Sequence, residues 1–207
     1  MLNSKGFDQW SGAYDDDILR MQNEGYPFEG YYHTLGTIQN KVLACQAQQV
    51  LDIGIGTGLL SEVLYNKGIQ ITGVDFSEKM LSQARQKMPQ GSFIQFDFNA
   101  GLPAELNDSK FDCIISSYAI HHITDRQKIT FITQLMHHLN KNGWTLLGDV
   151  AFENEQAMQD VKAKTSGWDE SEHYMIADQM VASLSKAGIA TKFLRTSSCS
   201  GVLSIQG

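Results

Sequence analysis

Residues 50 to 58 read VLDIGIGTG. The apolar run of Val50, Leu51 and Ile53 around Asp52 predicts a buried strand, and glycines 54, 56 and 58 end it abruptly. Without a Cβ, glycine lets the backbone take positive φ and come close to a ligand. Leu59, Leu60, Val63 and Leu64 then recur at helical spacing, so the stretch reads as strand, glycine loop and helix, a cradle for a nucleotide cofactor. The dinucleotide fingerprint GxGxxG would place its third glycine at Leu59, whereas the pattern here is GxGxG. An ordinary tight turn between strand and helix would leave the same trace.

The two segments that follow weigh against an ordinary turn. Ile69, Ile71, Gly73 and Val74 lead to Asp75, and a carboxylate closing a second strand can accept from both hydroxyls of a ribose. Ser77, followed by Glu78 and helix formers, is the better helix cap, which leaves Asp75 for a ligand. On this reading Asp75→Ala weakens cofactor binding by about 2 to 4 kcal/mol and leaves the fold intact. Phe93, Ile94 and Phe96 form a third strand running into Asp97 and Phe98, where a carboxylate can accept from an adenine amine beside an apolar ring. Three strands ending in Gly, Asp and Asp mark the edge at which open α/β sheets bind ligands.

VLDIGIGTG, ITGVDFSEKM, FIQFDFN and FDCIISSYAIHHI resemble the successive motifs of the class I S-adenosylmethionine-dependent methyltransferases. Within that family the chain is similar to the small YrrT-type bacterial methyltransferases, in FDQWSGAYD, SSYAIHHITD and GDVAF. The resemblance implies a Rossmann-like, doubly wound, seven-stranded and mostly parallel α/β sheet with a C-terminal antiparallel hairpin. It implies S-adenosyl-L-methionine as cofactor and one domain over residues 1–207, with residues 1–34 as an N-terminal lid. Gly54, Ile55 and Gly56 would then approach the cofactor's methionine and ribose, with Asp52 near its ammonium group. Asp75 would hold the ribose, Asp97 and Phe98 the adenine, and Phe76 or Met80 the flank of the base. Tyr14 of the lid would reach the methionine carboxylate, and Ser116, Ser117 and Tyr118 would line the reaction site. SSYA departs from the Asn/Asp-Pro-Pro-aromatic tetrapeptide of the amine-modifying DNA and protein methyltransferases, which disfavours that branch.

Upstream, Phe7, Trp10 and Tyr14 are spaced as one face of a short helix, and Asp15, Asp16 and Asp17 read as a solvated turn or helix start. The aromatics between Tyr26 and His33 read as packing, with one or two facing the pocket, and Leu35, Ile38, Val42 and Leu43 mark a helix over 35–47.

Downstream, His121 and His122 form a pair whose imidazoles titrate near neutral pH. His122 is the candidate catalytic base, and a structural role in the loop or pocket wall is the alternative. No metal site is expected, because His137 and His138, adjacent on a helix, would diverge by about 100 degrees. Ile129 to Leu139 predicts a helix ending near Asn142, and Trp144 to Val150 a fifth strand. Asp149 reads as pocket acid or loop cap. Residues 153–170 are polar, Ile176 to Ala187 is helical, and ATKFLRTSSCSGVLSIQG reads as a hairpin turning about Ser200 and Gly201.

The formal net charge of −7, without a Lys/Arg run, argues against a nucleic-acid substrate and for a small-molecule acceptor. Cys45, Cys113 and Cys199 make no disulfide framework, and neither a signal peptide nor a bilayer-length apolar run is read. A cytoplasmic protein without a membrane partner is expected. Two other readings share the cradle: a sensor of S-adenosylmethionine or its demethylated product, and a nicotinamide-dependent oxidoreductase.

Overall fold

A computed structural model of the chain describes Asp8 and residues 12–207. β1 (Gln49–Ile53) lies at the centre of the sheet, paired in parallel with β2 (Gln70–Asp75) on one side and β4 (Phe111–Ser117) on the other. β3 (Ser92–Gln95) extends the β2 side, and β5 (Leu139–Phe152) runs parallel to β4. A two-residue strand β6 (Met175–Ile176) pairs with the end of β5, and β7 (Thr191–Arg195) and β8 (Ser200–Gln206) complete the sheet. The order is β3-β2-β1-β4-β5-β8-β7, with β8 antiparallel to both neighbours. The expected seven strands and antiparallel hairpin are thus present, with β6 in addition.

Strand alternation divides the core. Val50, Cys113 and Ile115 join one apolar cluster, while Leu51, Ile53 and Ile114 join another on the opposite face, as the two-residue period of a strand requires. On the first face lie α2 (Tyr31–Ala44), α3 (Leu59–Tyr65) and α4 (Glu78–Lys87), through Leu35, Ile38, Val42, Leu60, Leu64 and Leu81. α5 (Asp125–Met136) covers the other face with Phe131 and Leu135. Each such side chain, fully buried, contributes about 1.5 to 3 kcal/mol. α2 lies so close to β5 that a Cβ on Gly148 would stand 2.7 Å from Thr34 Cγ2 and 2.8 Å from Ile38 Cδ1. α1 (Tyr14–Met21) carries Asp15, Asp16 and Asp17 in its first turn, where carboxylates favour the helix dipole. α7 (Ala177–Lys186) buries Met180 and Leu184.

Several boundaries differ from the sequence reading. α2 starts at Tyr31, so residues 31–34 belong to a core-packed helix and not to the lid. β3 stops at Gln95, and Asp97 caps a 3-10 turn, Phe98–Ala100, by accepting Asn99 N–H at 2.9 Å. The local carboxylate bond competes there with continued pairing to β2. α5 ends at Met136 and β5 begins at Leu139, because Leu139 finds a ladder partner in Phe111. His137 and His138 therefore sit in a turn, and His138 Nδ1 is bonded to Ser109 O at 3.1 Å. The polar stretch 153–170 contains α6 (Glu155–Lys162), capped by Asn154. The hairpin turns over residues 196–199, ahead of Ser200 and Gly201. Phe7 and Trp10 lie outside the described residues. No described helix is long and apolar enough to cross a membrane.

Candidate active site

The chain passes from β1 to β2 and β3 on one side, then returns to β4 on the other, so the carboxyl ends of β1 and β4 flank a topological switch point. Ile53 pairs with Ser116, so Gly54, just past the end of β1, and Ser117, the last residue of β4, follow at the carboxyl edge of the sheet. A cavity opens there, lined by Tyr14, Gly54, Gly56, Asp75, Phe76, Met80, Phe98, Ser117, Tyr118, Ala119 and His122. All of these but Ala119 were expected at the site from the sequence and its family resemblance.

Four sequence candidates stand elsewhere. Ile55 packs in the core against Gly73, Ser116 is buried and donates to Ile53 O at 2.8 Å, and Asp97 is exposed at its turn. Asp52 lies buried in β1, where its Oδ2 accepts Ser61 Oγ–H at 2.6 Å and its Oδ1 has no partner among the described residues. Burial pushes its carboxyl up to about 7, and the neighbouring Asp75 charge adds to that, against the pull of the Ser61 hydrogen bond.

The glycine loop is held from below by the second strand. Gly54 and Ile55 N–H groups donate to Val74 O at 2.8 and 3.1 Å, and Gly56 N–H donates to Asp75 Oδ2 at 2.8 Å. The other Asp75 oxygen accepts Ser77 N–H at 2.9 Å. Burial still holds the Asp75 carboxyl above its ordinary range, although backbone N–H groups of Ser77, Gly56 and Phe76 oppose the shift. Gly54 has φ +69°, and a Cβ there would stand 2.5 Å from Ala119 Cβ. Gly56 has φ +55° with no described residue within 4 Å of such a Cβ, which leaves space beside it for a ligand. The open backbone cradle at Gly56, held by the Asp75 carboxylate, fits close approach by a nucleoside.

Residues near the N-terminus cover the loop. Asp15, expected to be solvated, accepts Thr57 Oγ–H at 2.6 Å and pairs with Lys87 at 2.6 Å. Asp8 accepts Ser77 Oγ–H at 2.5 Å. Tyr14 faces the cavity and is hydrogen-bonded to Tyr31, its hydroxyl pushed up to about 12 chiefly by burial. Sequence pattern gave no sign of the Asp8 and Asp15 clasps, since each joins residues more than forty positions apart.

The opposite wall is aromatic and acid–base. Tyr118, with φ +50°, stacks on Tyr31 at 4.5 Å and donates to Ser200 Oγ at 3.2 Å. The region between Tyr26 and His33 packs largely as expected: Tyr26 stacks on Trp168 at 4.6 Å, and Tyr174 meets both rings edge-on. Asp149 is the loop cap, accepting Ile120 and His121 N–H at 2.8 and 3.1 Å, and it also bonds His121 Nδ1 at 2.5 Å. Burial lowers the His121 pKa, but the Asp149 charge and hydrogen bond outweigh it and hold the imidazole above its ordinary value. His122 Nδ1 meets Glu172 Oε2 at 2.9 Å. Burial works against ionisation of Glu172, yet the His122 hydrogen bond and charge keep it below its ordinary range. Glu172 was not among the sequence candidates; it arrives from a loop fifty residues away and carries no local motif.

The family described as a methyltransferase domain matches residues 50–143. An uncharacterised methyltransferase of Geobacillus kaustophilus is 30% identical, with 90% of this chain and 88% of the relative covered. The uncharacterised methyltransferase YrrT of Bacillus subtilis is 30% identical, with 90% and 89% covered. Among solved structures, magnesium protoporphyrin IX methyltransferase of Synechocystis PCC 6803 with bound SAH superposes with a TM-score of 0.69 at 20% identity, over 96% of each chain.

Proposed function

The chain belongs to the class I S-adenosylmethionine-dependent methyltransferases, beside the YrrT-type proteins, and on that premise we propose that it methylates a small molecule bound on the His122 side of the cavity. Membership sets aside the oxidoreductase and sensor readings. The observation that carries the proposal is the single cavity at the switch point, shared by Gly54, Gly56, Asp75, Phe98 and Tyr14 with His122 and Ser117.

S-adenosylmethionine supplies a methyl group already activated on a sulfonium, so no covalent relay through the protein is needed. Gly54 and Gly56 let the backbone approach the methionine and ribose. Asp75 fixes the glycine loop through Gly56 and accepts from the ribose, while Phe76, Met80 and Phe98 enclose the base. Tyr14 and the clasped segment above the loop exclude water. Ser117 and Tyr118 shape the acceptor wall, and His122 assists loss of the acceptor's proton. Alignment of the acceptor with the methyl group is the main source of rate.

The net charge of −7 speaks against a nucleic-acid acceptor, and the Synechocystis neighbour is named for a small molecule, magnesium protoporphyrin IX. Incubation with S-adenosylmethionine and a metabolite panel, reading S-adenosylhomocysteine release, tests the proposal. Release with at least one small acceptor is the expected result. Methylation confined to nucleic acid or protein would overturn it.

A further inference from the structure

The turn Ile120–His122 gathers side chains that methyl transfer from a sulfonium does not by itself require. The rings of His121 and His122 lie 4.1 Å apart, and Glu172 reaches them from the segment ahead of β6. One nitrogen of each imidazole and one carboxylate oxygen of Glu172 all fall within 4.8 Å of one another. Two adjacent histidines on a regular helix would diverge, but in this tight turn their rings come together.

We propose that His121, His122 and Glu172 bind a divalent transition-metal ion of the zinc class, on the acceptor side of the cavity. Two imidazoles and one carboxylate are a zinc donor set that leaves a fourth position for water or substrate. Asp149 supplies the outer partner such a site uses: bonded to His121 Nδ1, it fixes that ring's orientation and directs the lone pair of the other nitrogen outward. The carboxylates of Asp149 and Glu172 are each in hydrogen-bond contact with one of the two imidazoles, so oxygen and nitrogen donors stand together at the turn. The nearby Lys128 ammonium is neutralised by Asp125 at 2.9 Å. The side chains of His121, His122 and Glu172 are 14%, 13% and 9% exposed, which shields the site from bulk water yet leaves it reachable.

His122 also lines the cofactor cavity, so a bound ion stands where the acceptor must approach. The acceptor class is then one that coordinates through a hydroxyl or thiol, which the ion ionises near neutral pH with release of its proton to solvent, so that His122 assists proton loss as the ion's ligand and not as a free base. That assignment rests on the proposed function; binding of the ion does not.

The test is titration of chelator-treated full-length protein with zinc by calorimetry and with cobalt(II) by visible absorption, with S-adenosylhomocysteine binding measured on the same samples. One equivalent is expected, with a cobalt d–d band typical of four or five ligands. Glu172→Gln and His121→Ala should weaken binding at least tenfold, while His138→Ala, outside the cluster, leaves it unchanged. Anomalous scattering at the zinc edge from wild-type crystals locates the ion without relying on a variant that folds. Absence of stoichiometric binding, or an ion located away from these three residues, overturns the proposal. If S-adenosylhomocysteine still binds in that case, the methyltransferase assignment of the cavity stands alone.

Discussion

The carboxylate of Asp75 accepts the backbone N–H of Gly56 at 2.8 Å, so the acid that closes β2 also fixes the loop that follows β1. Sequence reasoning gave Asp75 to the ligand alone and expected Asp75→Ala to spare the fold. With Gly56 and Ser77 N–H groups both satisfied by this side chain, its removal strands two donors in a half-closed site. Asp75→Ala is expected to cost about 1 to 3 kcal/mol of stability in addition to weakening S-adenosylhomocysteine binding. Chemical denaturation and calorimetry on the same variant measure the two losses; an unchanged unfolding midpoint would refute the structural half.

Gly54 and Gly56 should respond differently to alanine. Both have positive φ, which costs about 1 to 2 kcal/mol with a Cβ. Only at Gly54 does the new Cβ meet a neighbour, Ala119 Cβ at 2.5 Å, adding about 1 to 3 kcal/mol of overpacking. Gly54→Ala is therefore the more destabilising change in urea, and Ala119→Gly in the same chain should recover the difference.

Stability should fall as pH rises through the range in which Asp52 ionises. Its folded carboxyl, pushed up to about 7 by burial, lies above the unfolded value of about 3.9. The protonated folded form is thus favoured below that lower value, and the advantage is lost as pH climbs through the upper one. The slope contributed is at most about 1.4 kcal/mol per pH unit. Asp149 and Glu172, held low, act in the opposite sense and lose their contribution as the solution is acidified. Asp52→Asn should flatten the wild-type decline between about pH 4 and 7, measured by urea unfolding across that range.

The Asp15 clasp predicts a kinetic effect. Asp15→Asn weakens the pair with Lys87 and the bond from Thr57, interactions of about 0.5 to 1 kcal/mol at this partial exposure. Stopped-flow release of S-adenosylhomocysteine should accelerate by about two- to fivefold, with the unfolding midpoint nearly unchanged.

His122→Ala should lower turnover by about a hundredfold while S-adenosylhomocysteine affinity changes by less than threefold. A large drop in thermal stability with proportionate loss of binding would instead assign the ring to the loop's architecture.

Sequence legibility followed the range of the interactions. The order Gly54, Asp75, Phe98 could be read because each residue ends a locally encoded strand or its short extension, and period-two burial of Val50 against Leu51 fixed the faces. The boundary at Leu139 was misread because an apolar residue at helical spacing also suits a strand, and only its pairing with Phe111 decides. Asp15 and Glu172 were invisible as site residues since their partners, Thr57, Lys87 and His122, lie far along the chain. The proposed ion site lay beyond the sequence for the same reason: His121 and His122 alone suggest no donor set until Glu172 joins them.

The stack of Trp168 on Tyr26, with Tyr174 closing its edge, places an indole beside the imidazole cluster, since Tyr174 lies 6.3 Å from His121. Trp144, under Lys41 at 3.4 Å, sits toward the other end of β5. The protein consequently carries its own optical gauge: emission that differs between wild type and Trp168→Phe reports events at one mouth of the sheet, with no dye or label attached.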